Sequence, residues 1–120
     1  MNGIRSDQGE GERFEDEVRT VLIKCALPHL TVIEFTVHRE GYEGPDPHTH
    51  DDHTDSFYVL EGELELTLGE ETFRAGRGTF VAAAPGVQHG FKIPQGSGRV
   101  RFLNVHAPGG FEHDMRQINS

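Results

Sequence analysis

Short strand-like segments separated by turn-forming residues recur along most of this chain. Runs rich in Val, Leu, Ile, Phe and Thr alternate with clusters of Gly, Pro, Asn and Asp. The pattern predicts about nine strands, at residues 20–26, 30–38, 48–50, 55–60, 63–68, 71–74, 78–82, 89–93 and 100–105. Strands and turns at such spacing favour a sandwich or barrel. We therefore predict an all-β fold with little helix, limited to one or two turns within residues 111–118.

The strand of residues 63–68 shows the alternation most cleanly. Its leucines occupy every second position and its polar residues the positions between, which predicts one face towards the core and one towards solvent. Gly69 and Glu70 then predict a tight hairpin into the following strand.

Length and composition indicate one domain with few classes of partner. The chain has 120 residues, enough for one core, and its polar, Gly-rich residues 1–12 predict a flexible N-terminal segment before a barrel of residues 13–120. The net charge of −9 argues against nucleic acid or an anionic membrane as partner. The single cysteine, Cys25, cannot form an internal disulfide, and no segment approaches the ~18 apolar residues of a membrane span. We expect a soluble, cytoplasmic protein.

Three histidines and one carboxylate have the spacing of a metal site. His48 and His50 are two residues apart, so in a strand both side chains point to one face. Asp55 begins the next strand, after a turn, and His89 begins another after Pro85-Gly86. These four residues predict a site for a divalent transition metal: Fe, Mn, Ni, Co, Cu or Zn, which the sequence does not distinguish.

The other histidines have simpler interpretations. His53 lies in an Asp-rich turn, where solvation is the favoured interpretation over a role as a fifth ligand. His29, His38 and His113 are interpreted as ordinary polar side chains. His106 closes a strand-like run and is the only one for which a place in the barrel interior stays open.

The ligand spacing resembles the first sequence motif of the cupin family. That motif contains His-x-His, three or four residues, Glu, six residues and Gly; here the segment runs from His48-Thr49-His50 through Asp55 to Gly62. Asp55 stands where the family has Glu. An aspartate is one methylene shorter, so its direct coordination is less secure than that of the imidazoles.

The second cupin motif is also matched. It runs from Gly78 through Pro85-Gly86 to His89 and ends at Ile93, where the family has Asn. Residues 9–14 and 108–112 resemble the flanks of single-domain, quercetin dioxygenase-like cupins.

The resemblance implies a jelly-roll barrel and a function. It implies a metal-dependent dioxygenase, with Asp55 taking part in catalysis as well as in metal binding. Two alternatives stay open: a non-redox isomerase, lyase or cyclase, and a small-molecule-binding protein without turnover.

The side chains near the predicted ion indicate the kind of substrate. Phe57 and Phe91 lie two residues beyond Asp55 and His89, and the same parity predicts that they form the pocket wall. No Arg or Lys on the motif strands faces this way, which favours a neutral or phenolic substrate, although Arg39 and Arg101 are close enough in sequence to reach in.

An apolar early strand suggests self-association. Residues 20–27 are mostly apolar, and a small monomer has limited means to cover both faces of such a strand. Cupins commonly form dimers through N-terminal strands. We therefore predict a homodimer through residues 20–37, with the core strand of a monomer as the alternative.

Overall fold

Nine strands and one helix form the described part of the chain. The computed structural model describes residues 3–39, 42–44 and 46–119. The strands are β1 (Glu12–Glu15), β2 (Arg19–Leu27), β3 (Leu30–Val37), β4 (Thr54–Glu61), β5 (Glu63–Leu68), β6 (Glu71–Gly76), β7 (Phe80–Ala83), β8 (His89–Lys92) and β9 (Val100–Ala107), and the helix is α1 (Phe111–Ile118).

The strands form two antiparallel sheets that pack against each other. One sheet has the order β1-β2-β3-β9-β4-β7 and the other the order β6-β5-β8. Their inward faces meet in a core that includes Ile33, Val59, Leu64, Leu66 and Phe102, each at most 1% exposed. The predicted all-β jelly roll with little helix is confirmed. The described residues include no helix long and apolar enough to cross a membrane.

Most strand predictions agree with the structure, one is wrong, and one observed strand was not predicted. The alternating segment Glu63–Leu68 is β5, and it pairs with β6 across the Gly69-Glu70 turn. The predicted strand at residues 48–50 is wrong: His48 forms only an isolated bridge with His89. Pro47 has no N–H to offer a ladder, which limits pairing before this point. Strand β1 was not predicted, because its four residues include a single apolar side chain, Phe14.

The N-terminal residues lie along β2. The Ser6 hydroxyl donates a hydrogen bond to the Lys24 carbonyl, and the Lys24 ammonium donates to the carbonyls of Asp7 and Glu10. Val21, Leu22 and Ile23 are buried within the single chain. The chain therefore covers both faces of β2 unaided, and the homodimer stays a prediction that sedimentation equilibrium can test.

Helix α1 is held to the barrel by a buried carboxylate. Glu112 Oε1 accepts hydrogen bonds from the Thr31 hydroxyl on β3 (2.6 Å) and from the Gly110 amide (3.0 Å). Gly109, just before the helix, packs so closely on the Leu27 carbonyl that a Cβ would collide with it. These contacts hold the start of α1 against β3 and the end of β2.

We expect Glu112→Ala to lower the free energy of unfolding by about 1.5–3 kcal/mol, because the fully buried Thr31 hydroxyl and the half-buried Gly110 amide lose a charged acceptor. Burial raises the pKa of Glu112, but hydrogen bonds from Thr31 and from backbone amides outweigh it and hold the pKa below its ordinary value of 4.5. The carboxylate therefore stabilises the fold above about pH 4.5, and this contribution is lost as the pH falls through the lower folded-state pKa.

Urea denaturation of wild type and Glu112→Gln between pH 3 and pH 7 checks this. The difference between the two proteins should shrink towards acidic pH, since glutamine keeps the shape without the charge. A difference that is constant with pH would show that the charge of Glu112 does not hold the helix.

Candidate metal centre

The four sequence-predicted ligands converge at one end of the barrel. Asp55 lies on β4 opposite Ala83 and His106 on the two flanking strands. His89 begins β8, and paired backbone hydrogen bonds of 2.8 Å join it to His48. One potential ligand atom from each of His48, His50, Asp55 and His89 lies within 4.8 Å of the others. This cluster could hold a metal ion.

The two oxygens of Asp55 have different neighbours. Oδ2 lies 2.8 Å from His89 Nε2 and 3.4 Å from His50 Nε2. Ligands bound at about 2.1 Å in octahedral or tetrahedral geometry are separated by roughly 3.0–3.4 Å. Oδ1 instead accepts a hydrogen bond of 2.6 Å from the Asn104 amide. Despite the shorter side chain, Oδ2 therefore lies at a ligand-like distance from His50 Nε2 and about 0.2 Å closer than that range to His89 Nε2.

Backbone carbonyls orient two of the imidazoles. His48 Nδ1 lies 2.9 Å from the Asp46 carbonyl oxygen, and His89 Nδ1 lies 3.0 Å from that of Val87. A carbonyl can only accept, so Nδ1 carries the proton in both rings and Nε2 is directed to the cluster. Fixing a ring by its second nitrogen in this way is typical of metal-binding histidines.

The electrostatics favour an ionised Asp55 carboxylate beside neutral His50 and His106 rings. Burial raises the pKa of Asp55, but hydrogen bonds from His89 and Asn104 and the proximity of His106 outweigh it and lower the pKa. Burial lowers the pKa of His50, and it lowers that of His106 to about 4. Burial also opposes protonation of His89, but the hydrogen bond to Asp55 raises its pKa overall. A negative charge with adjacent imidazoles suits a divalent cation.

A cavity of about 100 Å³ lies beside the cluster. Its wall includes the predicted pocket residues Phe57 and Phe91, whose ring centroids are 5.9 Å apart, together with Phe111 of α1. Its volume is of the order of one aromatic ring, so it admits a small molecule or one end of a larger one.

Arg19, which was not predicted from the sequence, also lines this cavity. Its guanidinium lies 5.9 Å from the ring centre of Phe35 and donates a hydrogen bond of 3.2 Å to the Tyr42 hydroxyl. Within the described part of the chain, no carboxylate forms an ion pair with it. Arg39 and Arg101, named from the sequence as possible contributors, pair instead with glutamates and do not line the cavity.

The sequence interpretation also missed Asn104. Positions 100, 102, 104 and 106 of β9 are all buried. Because side chains in a strand alternate, the inward position of Phe102 predicts the same face for Asn104 and His106, and this was the signal in the sequence. The solvated interpretation of His53 is wrong, because its side chain is only 13% exposed.

Comparisons with known proteins agree with this architecture. The cupin domain family matches residues 34–106. Among solved structures, KdgF from Halomonas sp. is 19% identical, with a TM-score of 0.79 over 93% of this chain and 99% of that one. An RmlC-like cupin from Shewanella frigidimarina is 19% identical, with a TM-score of 0.76 over 90% and 93%.

A third similar structure has a stated activity. Streptomyces Pac13, described as a nucleoside dehydratase, is 19% identical, with a TM-score of 0.68 over 94% of this chain and 88% of that one. No curated protein sequence matches. At these identities the solved structures establish the fold alone. Since the family match covers more than half of the chain and includes all four clustered residues, the chain belongs to the cupin domain family.

Proposed function

We propose that this cupin is a metal-dependent enzyme that acts, without net oxidation, on a small organic substrate bearing an anionic group. The observation that carries the proposal is Arg19, whose guanidinium forms no ion pair with a described carboxylate, although Asp16 lies near it, and which lines the same cavity as His48, Asp55 and His89. An arginine in a largely aromatic cavity favours a carboxylate or another oxyanion. This replaces the neutral substrate expected from the motif strands alone.

The cavity residues have two proposed roles: one group binds the metal ion, and Arg19 binds the anionic group of the substrate. His48, His50, Asp55 and His89 hold the metal ion, which supplies Lewis acidity towards a substrate oxygen. Arg19, whose guanidinium donates a hydrogen bond to the Tyr42 hydroxyl, binds the anionic group and so fixes the orientation of the substrate. The Tyr42 ring contacts Phe91, Phe91 contacts Phe57, and Phe57 contacts His89. These aromatic side chains therefore exclude water between Arg19 and the metal centre.

The stated activity of Pac13 supports non-redox chemistry as one use of this fold, since dehydration needs no oxidant. A dioxygenase with a neutral or phenolic substrate, of the quercetin dioxygenase-like kind, is the second candidate. The aromatic wall formed by Phe57 and Phe91 favours it, whereas the guanidinium of Arg19 in the same cavity favours an anionic substrate.

Calorimetry on metal-loaded protein tests the substrate class. Three- and four-carbon hydroxy acids and oxo acids are compared with the amides of the same skeletons. We expect the acids to bind more tightly, and Arg19→Gln to weaken their binding about 10-fold or more. Arg101→Gln, which changes an arginine outside the cavity, is the control. Equal binding of acids and amides by wild type would contradict the proposal.

Turnover is then measured with and without oxygen. Product formation under anaerobic conditions, followed by NMR, supports non-redox catalysis. Oxygen consumption that is coupled to substrate loss would instead support the dioxygenase. Binding without turnover in either atmosphere would favour a small-molecule-binding protein.

We further propose that Asp55 coordinates the ion directly through Oδ2. Asp55→Ala should then weaken metal binding by more than about 100-fold, beyond the roughly 10 to 100-fold expected for a residue that only orients a ligand. Asp55→Asn keeps an oxygen and should lose less. Metal titrations monitored by competition with a chromophoric chelator provide the affinities, and an Asp55→Ala affinity equal to that of wild type would remove Asp55 from the site.

A further inference from the structure

Three imidazole nitrogens buried beside the candidate metal centre have no hydrogen-bond partner among the residues that the structure describes. They are Nε2 of His50, Nε2 of His53 and Nδ1 of His106. One potential ligand atom from each of these residues lies within 4.8 Å of the others. A buried polar atom without a partner is costly, so three in one place indicate that something binds them.

The hydrogen bonds of His106 fix which of its nitrogens carries the proton. The Asn104 amide nitrogen donates to Asp55 Oδ1 (2.6 Å) and to the Ser56 carbonyl (3.1 Å), so the Asn104 amide oxygen is free to accept. His106 Nε2 lies 2.7 Å from that oxygen and is therefore the protonated nitrogen. Nδ1 is left with a lone pair in a side chain that is fully buried.

His53 is fixed in a similar way. Its Nδ1 donates a hydrogen bond of 2.8 Å to the Asp52 carboxylate, which leaves the Nε2 lone pair available. A carboxylate behind an imidazole is a common arrangement at metal sites, because it fixes the ring and makes the free nitrogen more basic. The ring plane of His106 is fixed as well, because it stacks on Phe111 of α1 with centroids 3.9 Å apart.

We propose that His50, His53 and His106 form a second site for a divalent transition metal, distinct from the set of His48, His50, Asp55 and His89. Three neutral imidazoles suit Zn, Cu, Ni or Fe(II). Even at the largest separation of 4.8 Å, each nitrogen has to move less than about 1 Å to reach bond lengths near 2.1 Å.

A surface cavity leads to this second site. His50 and His53 line it together with Asp51, Asp52 and Asp114. The three aspartates give the cavity a negative charge, which attracts cations from solvent. The surface cavity is formed by the loop of residues 49–53 and the start of α1. It is separate from the cavity that contains Arg19, because neither His53 nor Asp52 lines the latter.

His50 is common to both ligand sets, and this has a consequence for occupancy. Its Nε2 is the unpartnered atom at the second site and also lies 3.4 Å from Asp55 Oδ2 at the first. One nitrogen lone pair binds one ion, so ions at the two sites compete for His50. The protein then holds one tightly bound ion per chain: in wild type at the first set, which offers four ligands and a negative charge, and at the second set when the first loses a histidine other than His50.

Metal binding by variants of the first site tests the proposal. In His48→Ala/His89→Gln, which leaves the second set intact, we expect zinc or cobalt to bind with about one ion per chain. Adding His53→Ala should lower the affinity at least about 10-fold, whereas adding His113→Ala, which changes an exposed histidine, should have no effect. X-ray absorption of the bound ion should show three imidazoles and no carboxylate.

Absence of metal binding by the folded double variant would overturn the second site, even if wild type binds metal at the first. Circular dichroism establishes whether the variant is folded. If it is not, the comparison moves to His48→Ala, which changes only a partly exposed loop residue. There, no change in affinity upon adding His53→Ala would equally overturn the proposal.

Discussion

Replacing His50 by Ala is expected to remove the bound metal more completely than any other single histidine substitution. Its Nε2 lies beside Asp55 at the first ligand set and is a member of the second. Loss of this one ring therefore leaves neither set complete, and we expect affinity to fall by more than about 100-fold. Elemental analysis of protein purified without an affinity tag should find less than about a tenth of an ion per chain.

The fold should survive this substitution, because His50 is not part of the hydrophobic core. Far-UV circular dichroism like that of wild type checks this. His113→Ala, at an exposed position on α1, is the matched control and should keep the metal content of wild type. Full metal occupancy in His50→Ala would contradict both proposed sites at once.

Phe102→Ala is expected to destabilise the barrel by about 3–5 kcal/mol. The side chain is fully buried, stacks on Phe35 at a centroid distance of 5.0 Å and meets Phe91 edge-on at 5.2 Å. Its removal leaves a void between the two sheets, directly under the aromatic wall of the cavity beside the candidate metal centre. Urea denaturation followed by circular dichroism measures the loss.

Phe80→Ala is the matched control for the core. This residue is of the same type and also lies on a strand, but it is 61% exposed. Its replacement should change the free energy of unfolding by no more than about 0.5 kcal/mol. Equal effects of the two substitutions would mean that the inter-sheet packing around Phe102 does not stabilise the barrel as described.

The fold was predictable where side chains alternate, because a strand buried on one face imposes a period of two. Leu64 and Leu66 carry that period in β5, and the observed strand has the predicted bounds. Strand β1 carries almost no such signal: it is an exposed edge strand, and only its pairing with β2 makes it regular. Local pattern therefore predicted buried strands better than edge strands.

The candidate site was predictable to the extent that its residues are close in sequence or follow a turn. His48 and His50 share a side even without a strand, since Thr49 between them is exposed. Arg19 could not be predicted to reach the cavity, because its place depends on how β2 sits next to the segment that carries Tyr42. The inward position of His53 likewise depends on contacts with His106 and Phe111, which are distant in sequence.

Anomalous X-ray diffraction from crystals of the metal-loaded protein tests the central claim most directly, because it locates the ion. At one equivalent of metal per chain, the account predicts a single strong peak about 2.0–2.2 Å from nitrogen atoms of His48, His50 and His89 and in contact with Asp55 Oδ2. Loss of that peak in data collected just below the absorption edge of the loaded element would confirm the identity of the metal. The absence of any peak within bonding distance of these four side chains would contradict the account.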